Sequence, residues 1–347
     1  MLSRLEFDFE PLNKVLEGSE ITEYDAYEVF SHSKHDSEKI FKVANDLRDH
    51  HKGKVVSFSK KAFFNIVNLC RDTCSYCTYK AEIDESKLSM MNIDEVKNLA
   101  KSAAKLRCVE ALLVTGESPE QKYDKASKWL RKNGFSSTGE YLVHCSELVL
   151  NEGLFPHTNA GNLNRSEMNE LKKTNVSMGL MLENSSHRLL EKGMPHDGAP
   201  SKDPKARIQI LKNAGELKIP MTTGILVGIG ENEREIIDSL FTIKTLHKQF
   251  GNIQEVILQN FEPKQDTKMK DHQSTPQQYF KRVVALARII LPEMNIQIPP
   301  NLSPTNYDDF LDVGINDWGG ISPITVDYVN PEFAWPQINT LEKKCTE

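Results

Sequence analysis

The stretch Phe63-Phe64-Asn65-Ile66-Val67-Asn68-Leu69-Cys70-Arg71-Asp72-Thr73-Cys74-Ser75-Tyr76-Cys77 sets an apolar, strand-like run against a polar loop with three cysteines. Only six cysteines occur in 347 residues, yet three of them fall within positions 70–77. A lone cysteine is usually a small buried hydrophobe, which is how Cys108 and Cys145 read. Cys345 reads as an exposed tail residue. The triplet does not fit the buried reading, because Arg71, Asp72, Thr73 and Ser75 make its loop polar. Nor does it fit disulfides: three is odd, and the compartment reads as reducing.

Metal binding remains. A structural zinc site wants four ligands, usually as two pairs. No second C-x2-C exists, and no histidine lies in or just after the loop. Cys145 with His144 would have to supply a fourth ligand from a distance, so a zinc-structured binding module stays open as the alternative of another class. Thiolates with three and two residues between them suit the edges of an iron–sulfur cluster. Three thiolates on a four-iron cluster leave one iron free to bind a small molecule, as an open position does on a catalytic metal.

The rest of the chain frames this loop. Composition is 39% hydrophobic and 27% charged, with 43 Lys+Arg against 49 Asp+Glu and net charge -6. A disordered chain would need fewer apolar residues and a stronger imbalance. The charge gives no reason to expect nucleic acid. No apolar run approaches the roughly 18 residues that cross a bilayer. The start, Met1 to Asp8, has acids where a signal peptide needs an unbroken apolar stretch. A soluble cytoplasmic protein is expected, with no membrane partner.

Strand-like runs recur at Ala62–Val67, Val109–Val114, Leu154–His157, Val176–Leu182, Met221–Val227, Gln254–Asn260, Asn295–Ile298 and Gly314–Trp318. Helical patterns lie between most of them, as at Ile93–Leu106, Lys205–Leu217 and Glu231–Phe250. Pro204 suits a first helical turn, after Ser201 or Asp203 as the cap. Eight strands alternating with helices predict an α/β fold, a (β/α)8 TIM barrel of parallel strands. Residues 1–54 read as an N-terminal helical extension, 55–336 as the barrel domain and 337–347 as a tail. In such a barrel the chemistry sits on loops after the strands, which is where the cysteines fall.

Three cysteines spaced C-x3-C-x2-C after the first strand of a barrel resemble the radical S-adenosylmethionine (SAM) superfamily. The resemblance implies a [4Fe-4S] cluster on Cys70, Cys74 and Cys77, and SAM as a consumed co-substrate that yields a 5′-deoxyadenosyl radical. It places Tyr76 near adenine and Gly116 and Glu117 near the SAM ammonium. It makes Glu183 and Arg207 a pair at the methionyl carboxylate. It makes Gly228 and Glu231 part of an element cupping adenine, within Gly224-Ile225-Leu226-Val227-Gly228-Ile229-Gly230-Glu231.

Further segments narrow the resemblance: Asn68-Leu69-Cys70-Arg71-Asp72, Pro156-His157-Thr158-Asn159-Ala160-Gly161, Pro299-Pro300-Asn301-Leu302-Ser303-Pro304 and Gly314-Ile315-Asn316-Asp317-Trp318-Gly319-Gly320. They resemble the cyclising (G) subunit family of 7,8-didemethyl-8-hydroxy-5-deazariboflavin synthase, over about residues 55–336. Tyr79 departs mildly from the phenylalanine expected there. The implied reaction closes a hydroxybenzyl–ribityl–pyrimidine adduct into a deazaflavin with loss of ammonia, in coenzyme F-420 biosynthesis. The implied partners are that adduct, a sister radical SAM subunit that makes it, and a low-potential electron donor. Within the superfamily, the sister tyrosine-adduct synthase and a menaquinone-pathway cyclase are the alternatives. Polar residues after the strands are the candidate substrate contacts: Asn159, Gln259, Asn260, Asn301 and Asn316, with Trp318 to pack on a ring. His157 and Asp317 are the candidates for moving protons, and His144 reads as structural.

Overall fold

The computed structural model describes residues 10–346; the start at Met1–Asp8 and the first residues of the extension lie outside them. Eight parallel strands close a barrel in sequence order. They are β1 (Ser57–Val67), β2 (Glu110–Thr115), β3 (Phe155–Asn159), β4 (Ser177–Gly179), β5 (Met221–Val227), β6 (Ile253–Asn260), β7 (Ile296–Gln297) and β8 (Asp317–Ile321). β8 returns to β1 with Ser57 opposite Asp317.

Period-two alternation divides each strand between lumen and outer layer. On β1, Ala62, Phe64 and Ile66 are fully buried, while Lys61 and Phe63 line the lumen. On β6, Val256 and Leu258 are fully buried, while Glu255, Ile257 and Gln259 face inward.

The outer layer holds α4 (Ile93–Lys105), α5 (Asp124–Lys132), α6 (Thr138–Asn151), α7 (Arg165–Leu171), α8 (Pro204–Glu216), α9 (Glu233–Phe250) and α10 (Gln277–Ile290). Cap chemistry sets their starts. Asp203 accepts from the Lys205 amide, and Pro204 opens α8 as expected. Asn232 and Glu235 form a capping box that starts α9 two residues later than the periodicity suggests.

Three helices precede the barrel: α1 (Glu10–Leu16), α2 (Glu23–His32) and α3 (Ser37–Lys52). Val43, Ala44 and Leu47 of α3 are buried in the same hydrophobic core as the strands. Arg48 reaches the barrel's lower end, donating to the Ile315 carbonyl at 3.1 Å. Among the described residues, no helix is long and apolar enough to cross a membrane.

Two expectations are corrected. The last strand begins at Asp317 and not at Gly314. Gly314 adopts φ +97°, so the apolar run there turns before it extends. The tail is also not an exposed end. Residues Ile338–Thr346 form α11, with Leu341 buried. Ile338, Leu341 and Cys345 share a helical face, and half-buried Cys345 accepts from Trp318 Nε1 at 3.2 Å.

Candidate active site at the mouth of the barrel

The cysteine loop leaves the upper end of β1. Cys70, Cys74 and Cys77 are free thiols that open into one cavity of about 320 Å³. Tyr76, Gly116, Glu117, Glu183 and Arg207 line the same cavity, which runs down into the lumen. The loop is pinned from several elements. The Arg71 amide donates to the Glu117 carbonyl at 2.8 Å, the Thr73 amide to Gly198 at 3.0 Å and the Ser75 amide to Pro195 at 2.8 Å. The Ser201 hydroxyl donates to the buried Asp72 carboxylate. Glycine is required at position 116, since a Cβ there would lie 2.0 Å from the Leu69 oxygen and 2.8 Å from Cys70 Cα. The Glu117 amide donates to Cys70 Sγ at 3.2 Å. Tyr79, the mild departure, ties the ends of β1 and β2 by donating to Val67 and Val114 at 3.2 and 3.1 Å.

Burial pushes the Cys70 thiol up to about 11 and the Cys74 thiol up to about 12, against the pull of Lys202 on Cys74. These thiols hold their protons until a metal displaces them. Among the described residues, no three His, Cys, Asp or Glu side chains converge tightly enough for one metal ion. Three thiols on one loop, open to one cavity, fit an iron–sulfur cluster, whose thiolates bind different irons. Cys108 and Cys145 are buried as expected and do not line the cavity. His144 lies on α6 beside Glu147.

Opposite the thiols, Glu183 sits at φ +63° just after β4. Its carboxylate pairs with Lys202 at 2.5 Å. Burial would raise this carboxyl, but Lys202 and Arg207 hold it below the usual range. Arg207 itself donates to the Ser201 carbonyl at 3.0 Å and to the Met181 carbonyl. The Glu117 carboxylate accepts from the Asn162 amide at 2.9 Å and the Ser118 hydroxyl at 3.0 Å. Tyr76 shares a 3.0 Å hydrogen bond with His196 Nε2 and packs on the cluster of Leu189, Leu226, Ile229, Phe261 and Met269. Burial and Lys202 push His196 down to about 3, so it is neutral. Gly228 and Glu231 do not line the cavity. The Glu231 carboxylate instead accepts from the Gly228 and Ile229 amides at 2.6 and 2.9 Å, which fixes the loop behind that apolar cluster.

The candidate substrate residues divide. His157, Asn159, Gln259 and Asn260 line the cavity. His157 Nδ1 lies 2.7 Å from the Ser177 hydroxyl, and burial pushes its pKa down to about 4. Asn260 also donates to Glu262 at 3.0 Å and to Leu302 at 3.2 Å. Asn316 and Asp317 are not at the mouth. The later start of β8 puts both at the lower end of the barrel. Asn316 accepts there from Arg288 at 2.7 Å and from the Ile296 amide at 2.9 Å. Asp317 accepts from Ser57 at 2.9 Å and from the Gly319 amide at 2.6 Å. Asn301 is buried behind the cavity wall, donating to Asp327 at 2.9 Å. Trp318 borders the cavity, but its ring meets Tyr307 edge-on at 5.3 Å and its N–H is taken by Cys345.

Other lining residues escaped the sequence reading. Lys202 carries no motif of its own, and Asp72 stands inside the cysteine loop without a role assigned to it. Lys61 and Glu255 had a usable signal: each is a charge at a lumen-facing position of a largely apolar strand. Trp335 stacks on Phe63 with ring centroids 5.1 Å apart, which brings the segment after β8 over the lumen wall.

Comparison with known proteins bears on the same residues. A family model described as the radical SAM superfamily matches residues 64–243. A protein of Methanopyrus kandleri named 7,8-didemethyl-8-hydroxy-5-deazariboflavin synthase is 45% identical over 294 residues, covering 84% of this chain and 88% of its own length. A protein of Nocardia farcinica named FO synthase is 43% identical over 296 residues, covering 83% of this chain but only 34% of that longer protein. Among solved structures, the FeFe-hydrogenase maturase HydG from Carboxydothermus hydrogenoformans superposes with a TM-score of 0.79 at 20% identity, over 97% of this chain and 77% of that one. At that identity the match speaks for the fold alone.

Proposed function

The chain belongs to the radical SAM superfamily, and we propose that it is the cyclising enzyme of deazaflavin formation. It converts 5-amino-5-(4-hydroxybenzyl)-6-(D-ribitylimino)-5,6-dihydrouracil to 7,8-didemethyl-8-hydroxy-5-deazariboflavin with release of ammonia, in coenzyme F-420 biosynthesis. Its cofactors are a [4Fe-4S] cluster and SAM. When bound, they supply a 5′-deoxyadenosyl radical that abstracts hydrogen from the adduct.

The chain's own residues do the rest. Cys70, Cys74 and Cys77 hold the cluster. Glu117 would accept from the SAM ammonium, and Arg207, with Glu183 beside it, would meet the methionyl carboxylate in a charge-assisted contact. Tyr76 and its apolar neighbours wall the adenine; Gly116 makes room for the cysteine loop, and Glu231 fixes Gly228 and Ile229 behind those neighbours. Asn159, Gln259 and Asn260 meet the substrate below. His157, neutral at working pH, accepts a proton during ring closure. Asp317 borders the lower pocket with His157 but is held by Ser57 and the Gly319 amide, and Asn316 is held by Arg288 and the Ile296 amide.

The carrying observation is that three thiols and the lumen share one cavity. The adduct comes from a sister radical SAM subunit, and a low-potential donor supplies electrons. That this chain spans a third of the Nocardia farcinica protein supports a two-part arrangement. Work in the cytoplasm suits free thiols. Incubation of the reconstituted, reduced protein with SAM and the adduct should yield fluorescent deazaflavin and ammonia. Cleavage of SAM without deazaflavin would overturn the reading.

A further inference from the structure

The lumen ends in a polar floor, of which the proposed ring closure uses His157 alone. Lys61, Glu110, His157, Thr222, Glu255 and Gln297 come from six different strands and meet at its lower end. Lys61 Nζ lies 2.8 Å from Glu110. Glu255 accepts from the Thr222 hydroxyl at 2.9 Å. The Gln297 amide, with its nitrogen toward Glu255, donates to both carboxylate oxygens at 3.2 and 3.3 Å.

Two glycines of β8 make room for this floor. A Cβ at Gly319 would stand 1.9 Å from the Gln297 amide, and one at Gly320 would stand 2.1 Å from Lys61 Cε. Gly319 also has φ +66°. The chain therefore gives up side chains on β8 to let Lys61 and Gln297 fold inward.

Above the floor the wall turns apolar, with Phe63, Leu112, Leu226 and Ile257. Glu255 and Gln259 bracket this belt on one strand, four residues or about 13 Å apart. The lumen is thus graded from thiols, through an apolar belt, to a hydrogen-bonding floor.

We propose that the floor is a polyol subsite: it receives the neutral ribityl chain of the substrate while the rings lie in the apolar belt beneath the thiols. This rests on the proposed function. A hydroxyl both donates and accepts, so a polyol needs partners of both kinds. Lys61, Thr222 and Gln297 donate, Glu110 accepts, and Glu255 does either. Burial, with Asp317 nearby, pushes the Glu255 carboxyl up to about 7, so near neutral pH much of it is protonated. Three carboxyl groups, Glu110, Glu255 and Asp317, surround one lysine there. That balance repels an anionic chain and selects the free polyol over its phosphate ester.

The test compares three adducts: ribityl, the chain cut to ethyl, and the chain ending in phosphate. Wild-type kcat/KM should be highest for ribityl and lowest for the phosphate ester. Gln297→Leu and Thr222→Val should each lower the ratio of kcat/KM for ribityl over ethyl by about tenfold. A role in packing alone would lower both substrates together and leave that ratio unchanged, which would overturn the proposal. So would wild-type protein that treats the ribityl and ethyl adducts alike. If wild-type protein makes no deazaflavin at all, the proposed function fails. The subsite is then read by calorimetry with 5-amino-6-(ribitylamino)uracil. Binding weakened by both substitutions supports it, and binding they leave unchanged refutes it.

Discussion

The mouth and the floor of this lumen are built in opposite ways. At the mouth, loops carry the reactive groups, and neighbouring loops hold them by backbone contacts and by buried pairs such as Asp72 with Ser201 and Glu183 with Lys202. At the floor, strands carry the polar groups, and those groups satisfy one another directly, as Lys61 with Glu110 and Thr222 with Glu255. Loops allow several elements to converge on one added group. Strands fix side chains in register and suit recognition of a shape. The difference assigns radical generation to one end and substrate grip to the other.

Substitutions that damage one end should therefore leave a signature distinct from those at the other. The largest effect is expected at the mouth. Cys74→Ala should abolish both the cluster and SAM cleavage, read as 5′-deoxyadenosine falling to background; retained turnover would break the assignment. Lys202→Met leaves Glu183 buried beside Arg207 alone. Breaking such a pair costs about 3–5 kcal/mol, measurable by denaturant unfolding, and SAM binding should weaken with it. Wild-type stability would show that the pair is not buried as described.

At the floor, Gly319→Ala forces a side chain into positive φ and against Gln297. It should cost about 1–3 kcal/mol and lower deazaflavin yield more than 5′-deoxyadenosine yield. An equal fall in both products would erase the distinction between the two ends. Asn316→Ala removes an acceptor from Arg288 and the Ile296 amide. It should cost about 1–3 kcal/mol of stability with KM for the adduct unchanged. A raised KM with unchanged stability would return Asn316 to the substrate site.

A further effect is in pH dependence. The Glu255 carboxyl is raised from 4.5 to about 7 in the folded protein. Between those values the native state holds a proton that the unfolded chain releases, so this group makes stability fall as pH rises through that window. Glu255→Gln lacks the term. Its stability relative to wild type should climb from about pH 4.5 to about pH 7 and level off above. A flat difference across the window would mean that Glu255 is ordinary.

What could be read from sequence follows the same division. The thiol loop is contiguous, so its spacing exposed it. β5 is legible end to end because Pro220 and Gly228 bound one apolar run. The start of the last strand is not, because Gly314 and Ile315 look apolar while the backbone turns at Gly314. A shift of three residues then carried Asn316 and Asp317 from one end of the barrel to the other. The floor stayed hidden because its members lie on six strands, and only closure of the barrel brings them together. Lys202 and Asp72 stayed hidden because their partners are fixed by loop folding, which no period encodes.

The central claim is that the three thiols at the mouth act as one unit that holds an iron–sulfur cluster. Iron, sulfide and zinc should be measured in anaerobically reconstituted protein, wild type beside Cys74→Ala. The account predicts about four irons and four sulfides per wild-type chain, lost in the variant. Zinc bound by the wild type without iron or sulfide would contradict it.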